Sequence, residues 1–288
     1  MDILITGLLL GATYSLLAMG LTLQYGVSRI MNLANGEMLV AGAFGAFWVT
    51  TAQSVNPMLS LLFVVPAAFV LNALIYRALL LPLVRRAKNR GQLEVDSILA
   101  TFGMSFAMVG IMRWAFGGEY FNYSFLATPF DLFGSPFGLN RVVAALAAAT
   151  ICAAVWWGLH ATRTGMALRA VAVDPRAAGL VAIDVIKMNT LAFALGGAIT
   201  AAGGAILSTF LTLDASIGVL FTMKALIIVI MGGVGDVRGA VIAALILGLA
   251  ETFVASVIDP GLTLAAAYLL FVLVLLFRPQ GLFGKRPS

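Results

Sequence analysis

MLVAGAFGAFWVTTAQSVNPMLSLLFVVPAAFVLNALIY, residues 38–76, runs for 39 positions without one Asp, Glu, Lys or Arg. A helix rises about 1.5 Å per residue and a bilayer's hydrocarbon core is about 30 Å thick, so roughly 20 apolar residues make one crossing. The run is long enough for two, and Ser54-Val55-Asn56-Pro57 supplies a turn between them. The rest of the chain repeats the pattern. Residues 3–28, 97–112, 142–162, 188–213, 239–250 and 260–277 are equally free of acids, lysine and arginine, and 219–233 is interrupted by Lys224 alone. Eight or nine crossings follow. The expected fold class is all-α, a polytopic integral membrane protein in which residues 1–288 form a single transmembrane domain.

Composition agrees. Of 288 residues, 17 are Lys or Arg and 12 are Asp or Glu, 10% charged where a soluble domain carries roughly 25%. With 62% hydrophobic residues and a mean hydropathy of +1.06, too little polar surface exists to cover a water-exposed exterior, which excludes a soluble enzyme. A lone cysteine, Cys152, and a lone histidine, His160, exclude a disulfide framework and the usual His/Cys metal clusters. The first apolar run has no basic segment before it and exceeds the 7 to 15 residues of a signal peptide's core, so it reads as a mature span.

Orientation follows from the bases, which are retained on the cytoplasmic side. Five lie in 77–90, four in 163–187 and three in 278–286; a nine-span count puts these, Arg29 and Arg238 on one face, 14 of the 17. The N terminus is then expected outside and the C terminus in the cytoplasm. The segment 117–140, with Glu119, Asp131, aromatic residues and prolines but no base before Arg141, reads as an outer loop hugging the interface. The net charge of +5 is explained by this bias rather than by nucleic acid.

Non-helical backbone at membrane depth is tolerated only inside protein or along a cavity, so interruptions are informative. Two stand out, broken or re-entrant segments near 25–37 (YGVSRIMNLANGE) and near 231–239 (MGGVGDVRG). Matching breaks in two halves suit a transporter with gating elements beside them, and two plain turns between hairpin helices fit equally well. Asn32, Asn35, Gly36 and Glu37 in the first, and Gly232, Gly233 and Gly235 in the second, are the candidates for a translocation pathway or gate. Glu251, late in the 239–257 span, joins them, because an ionisable group in a span is a functional candidate unless it is an interfacial residue or half of a structural ion pair. Gly7-xxx-Gly11 and the run Gly196 to Gly204 read as close helix packing.

The segment 163–187 has a helical grammar of its own. Asp174 precedes Pro175, an N-cap followed by the residue best suited to a first helical position, and Thr164 is placed to cap another short helix before it. The pair makes either a rigid knob for a partner's groove or a connector that touches nothing outside the chain. No phosphate-binding loop, H-E-x-x-H or G-x-S-x-G occurs, so the chain is not expected to hydrolyse ATP or to be an enzyme.

At this point the residues resemble a known family, the LivH-type permease subunits of branched-chain amino acid ABC importers. The resemblance rests on 26–37, on Thr164-Gly165-Met166-Ala167-Leu168-Arg169-Ala170 with Asp174 and Ala178, on Met223-Lys224-Ala225, on Gly232-Gly233-Val234-Gly235 with Gly239-Ala240, and on Arg278-Pro279-Gln280-Gly281-Leu282-Phe283-Gly284. It implies an ATP-driven importer for branched-chain amino acids or related small polar solutes, in a bacterial inner membrane. Implied partners are a second permease subunit, in a heterodimer or homodimer, two cytoplasmic ATP-binding subunits and a periplasmic solute-binding protein. No cofactor is implied on this chain, ATP and Mg being held by the ATPases. The coupling loop that docks into an ATPase would be 163–187, with Thr164, Gly165, Arg169, Asp174, Pro175, Ala178 and Gly179 at the matching positions. Departures are Asn35 for the family's usual histidine, Ala182 where glycine is common, and Val237-Arg238 for Ile-Pro. An ion-gradient-driven secondary transporter is the alternative; it would need several intramembrane acids or bases, where Glu251 stands nearly alone.

Overall fold

The computed structural model describes residues 2–53, 56–118, 120–121, 125–126, 128–132 and 135–284. Ser54 and Val55 of the expected turn, Glu119 of the loop, and Lys285 and Arg286 lie outside the described residues. The helices are α1 (Asp2–Ser28), α2 (Asn35–Gln53), α3 (Pro57–Ile75), α4 (Leu81–Arg86), α5 (Arg90–Phe116), α6 (Leu139–Ala161), α7 (Arg163–Val173), α8 (Pro175–Leu180), α9 (Val185–Leu207), α10 (Gly218–Gly232), α11 (Val237–Val257) and α12 (Thr263–Phe277). A wide π turn, Tyr76–Leu80, joins α3 to α4, so Pro57–Arg86 is one continuous rod. Between α5 and α6 a short antiparallel hairpin, Pro129–Leu132 with Ser135–Gly138, is the one strand pair among the described residues.

Among the described residues, seven helical segments are long and apolar enough to cross a membrane: α1, the α3–α4 rod, α5, α6, α9, α11 and Pro260–Phe277, in which a 3-10 turn, Pro260–Leu262, leads into α12. The remaining two segments of the expected nine are α2, diluted by Asn35, Glu37 and Gln53, and the 15-residue α10. At 15 residues α10 is about 22 Å long, short of a full crossing. Its start also corrects the expected span 188–213. Helix α9 stops at Leu207, and 208–217 folds back without regular helix, with Ser208, Thr209, Leu213 and Ala215 buried. An apolar run hides this break because its hydroxyls and Asp214 come only at the end.

Helix α9 is the central post, buried along nearly its whole length and packed against α1, α2 and α3. Its glycines permit this: a Cβ on Gly204 would run into the Leu39 carbonyl of α2. Helices α1 and α11 cross as closely, since a Cβ on Gly7 would sit 2.8 Å from the Leu249 Cα and one on Gly11 2.7 Å from the Leu245 Cα. In lipid, where no hydrophobic effect drives helices together, such backbone proximity is the main source of packing energy.

The charges sort to two ends. Arg29 donates to the Ala172 carbonyl of α7, Tyr25 to Glu94 at the start of α5, and Leu282 and Phe283 to the last carbonyls of α10. These contacts collect 77–90, α7–α8, the α10–α11 turn and the C-terminal motif at one basic end. At the opposite end Phe121 pairs with Leu213, and Asn140 donates to the Thr209 carbonyl.

Candidate functional site

The two expected breaks differ. At the second, Gly233–Asp236 is a tight turn with Val234 exposed, so a plain hairpin turn describes it. Gly233 (φ +105°) and Gly281 (φ +80°) take left-handed backbone that a side chain would resist. This lets 281–283 lie against the end of α10, where the N–H groups of Leu282 and Phe283 reach the Met231 (2.8 Å) and Gly232 (3.1 Å) carbonyls. The terminal Gly281-Leu282-Phe283 motif thus satisfies orphan carbonyls of a helix end.

The first break is buried. Ile30, Asn32, Ala34, Asn35 and Glu37 have no exposed surface. The chain leaves α1 at Arg29, which itself adopts φ +57°, and climbs back along α1. The Asn35 amide lies 3.4 Å from the carbonyl of Leu17, 11 residues before the end of α1 and so about 16 Å deep. Six residues of extended chain cover about 20 Å, enough for that return. This is a re-entrant segment, and α2 begins at membrane depth.

Its backbone is satisfied by hydroxyls from other helices, as hydrocarbon demands. Thr101 of α5 accepts from the Leu33 N–H (3.1 Å); Thr222 of α10 accepts from the Gly36 N–H (2.8 Å) and donates to the Leu33 carbonyl (3.2 Å). Asn32 donates to Gln24 (3.0 Å) and accepts from the Ala34 N–H (3.0 Å), while Thr200 of α9 donates to Asn35 (3.0 Å). Gly36 abuts Gly218 so tightly that a Cβ would overlap the Gly218 carbonyl. The first turns of α2 and α10 therefore meet. Glu37 lies between them, its carboxylate accepting from Ser105 (2.8 Å), with Thr222 at 3.5 Å. No cation pairs with it among the described residues; its charge is met by hydroxyls and by the positive ends of two helices.

One turn along α1 lies a second buried group. Lys224 of α10 donates to Glu251 of α11 (2.8 Å) and to the Tyr14 hydroxyl (2.8 Å), which in turn donates to the same Glu251 oxygen (2.9 Å). The ammonium also lies 4.8 Å from the Tyr14 ring centre. Glu251, expected in the pathway or in an ion pair, is in an ion pair.

At the basic end, Asp174 caps α8 as expected, accepting from Arg176 N–H (2.8 Å) and Ala177 N–H (3.2 Å) ahead of Pro175. The expected cap of α7 needs correction: Thr162, not Thr164, accepts from the Gly165 N–H (3.0 Å), and Thr164 lies exposed inside the helix. Gly165 packs on the last carbonyls of α6, Ala178 is buried, and Arg169 and Gly179 are exposed. The elbow shows solvent an apolar patch of Val173, Leu180 and Val181, each more than two-thirds exposed. Asp184 caps α9 by accepting from the Lys187 N–H, which holds its carboxyl below the usual carboxylate range.

The structure thus brings together Asn32, Asn35, Gly36 and Glu37, pairs Glu251 elsewhere, and places Gly232 at the end of α10 with Gly233 and Gly235 in the basic-end turn that follows. Gln24, Thr101, Ser105, Thr200, Thr222, Tyr14 and Lys224 were not singled out from sequence as site residues; the signal for them was that they are polar side chains inside apolar runs.

Buried polar groups around a re-entrant segment, inside a bundle of membrane-length helices with one basic end, define the class: a multi-pass membrane permease. Residues 3–277 match the family model described as branched-chain amino acid transport system / permease component, and the chain belongs to that family. BraD of Pseudomonas aeruginosa, a high-affinity branched-chain amino acid transport system permease protein, is 31% identical over 98% of this chain and 95% of its own. LivH of Escherichia coli, of the same description, is 27% identical over 97% and 94%. The solved structure of PsaBC from Streptococcus pneumoniae aligns over 98% of this chain and 94% of its own at 10% identity and a TM-score of 0.49.

Proposed function

We propose that this chain is the permease subunit of an ATP-driven importer of branched-chain amino acids or closely related small polar solutes. It resides in a bacterial inner membrane with its N terminus outside and its basic end in the cytoplasm. It pairs with a second permease, alike or identical, receives solute from a periplasmic binding protein, and is worked by two ATPases that hold ATP and Mg. The observation that carries the reading is the family match along 3–277 together with the α7–α8 elbow, whose apolar patch stands at the basic end. The elbow, around Thr164, Gly165, Arg169, Asp174, Pro175, Ala178 and Gly179, is the ATPase dock. The cluster of Asn32, Asn35, Gly36 and Glu37 is the gate. ATP binding shifts the bundle between outward- and inward-open states only through its differential affinity for the two.

Uptake into proteoliposomes tests this. Transport should require ATP and the binding protein and survive an ionophore; collapse by the ionophore with ATP intact refutes it in favour of a gradient-driven transporter. Asp174→Lys should abolish ATPase association and transport while the chain remains inserted. Normal transport with ATPase bound refutes the docking assignment.

A further inference from the structure

A concavity near the basic end shares Arg169 with the proposed ATPase dock and is otherwise unassigned. It holds about 360 Å³ and is enclosed by the last turns of α1 and α6, by α7, and by the turn before α11. Its floor is apolar, with Leu23, Val27 and Leu168. Its rim carries two guanidinium groups, Arg169 and Arg238, and neither makes an ion pair among the described residues. Lys187, by contrast, has found Asp184 at 3.2 Å. The Arg238 guanidinium is positioned 5.7 Å from the Trp156 ring centre, and His160 stacks on the same indole at 4.6 Å. A third guanidinium borders the site, since Arg29 donates to the carbonyl of Ala172 in the cavity wall. One acid faces in, Asp236, and one of its oxygens accepts from the Gly239 N–H as the cap of α11. The balance is positive, and the first turn of α11 adds the positive end of a 21-residue helix.

Depth sets the ligand. Thr22 to Val27 and Trp156 to His160 fall within two turns of the ends of membrane-length helices, the level of lipid headgroups. Basic pockets between transmembrane helices at that level bind phosphate-bearing headgroups, and the guanidinium fork matches phosphate geometry. Helix α6 continues below as an exposed apolar flank with Leu146 and Trp157, a surface for acyl chains. We propose that this cavity binds a phosphate group, with Arg169 and Arg238 as its ligands over an apolar floor.

The full-length chain in nanodiscs of phosphatidylcholine, with or without phosphatidylglycerol, tests it by native mass spectrometry. The expected result is one retained phosphatidylglycerol per chain. Retention should weaken by about tenfold or more in Arg238→Gln and in Arg169→Gln, the factor for losing a charge-assisted hydrogen bond, and recover in part in Arg238→Lys. Arg141→Gln, at the opposite end, should leave it unchanged. Lipid that resists added inorganic phosphate identifies a headgroup site; inorganic phosphate bound in place of lipid, and lost in the same variants, identifies a free-phosphate site. Neither ligand bound, or equal retention by Arg238→Gln, Arg169→Gln and wild type with unchanged melting, overturns the proposal.

Discussion

Replacing Lys224 with Met should destabilise the protein by about 3–5 kcal/mol, the cost of stranding one partner of a buried ion pair. The structure supports the upper part of that range. Nζ lies 2.8 Å from the Glu251 carboxylate, with side-chain exposures of 14% and 4%, so water can do little to rescue the remaining acid. Tyr14→Phe removes a hydroxyl that bonds both partners and should cost about 1.5–3 kcal/mol. The second Glu251 oxygen is buried without a partner among the described residues, so the pair is incompletely satisfied. Replacing both charges, Lys224→Met with Glu251→Leu, should therefore recover most of the loss. The assay is unfolding in mixed micelles followed by tryptophan fluorescence, analysed as a double-mutant cycle. A coupling energy of at least about 2 kcal/mol is expected. Additive single mutants, or a Lys224→Met loss below about 1 kcal/mol, would refute the reasoning that the pair is desolvated.

Thr162→Ala should lower the stability of the elbow by about 1 kcal/mol through loss of the α7 cap, whereas Thr164→Ala should stay within about 0.5 kcal/mol; hydrogen exchange across 162–173 separates the two. Ala182 holds φ +61°, where an L side chain costs about 1–2 kcal/mol, so Ala182→Gly should stabilise the protein by up to about 1 kcal/mol after glycine's greater freedom in the unfolded chain is counted, read as a rise in melting temperature. Gly36→Ala drives a methyl into the Gly218 carbonyl and should cost about 3 kcal/mol or abolish folded yield in gel filtration, while Gly103→Ala, inside α5 with nothing within 4 Å of its Cβ, should lose nothing and gain up to about 1 kcal/mol.

Helix existence was legible almost throughout, because charge-free runs of membrane length admit few other structures. Bounds moved where the ends are polar: α5 begins at Arg90 rather than near Ser97, since Asn89 caps it by accepting from the Gln92 N–H. The two breaks could not be separated from sequence, as both are glycine-rich and polar between apolar runs. What separates them is tertiary: Thr101, Thr200 and Thr222, 68 to 189 positions away from their partners Leu33 and Asn35, satisfy the first, while solvent meets the second. Lys224 was legible as an interruption of an apolar run and as part of Met223-Lys224-Ala225, but not as half of an ion pair, because its partners lie at Glu251 and Tyr14. The departure at Ala182 was legible in kind, since glycine is the residue that left-handed position favours.

The two buried acids are treated in opposite ways, and the difference bears on motion. Glu251 has a cation on the neighbouring helix, so separating α10 from α11 would strand two charges in a poorly solvated site. That joint should move as one body. Glu37 has no cation among the described residues; it is held by Ser105 of α5 and by the meeting of two helix starts. Helix α5 is otherwise thinly attached, its buried residues among those described being Ser97, Thr101, Ser105 and Met112 along a single stripe. Parting α5 from the re-entrant segment exchanges neutral-donor hydrogen bonds for water, and hydration of Glu37 offsets much of their loss. Of the contacts around the two acids, the α5 seam is thus the one that can open at small free-energy cost, and the Lys224–Glu251 joint the one that carries the displacement intact.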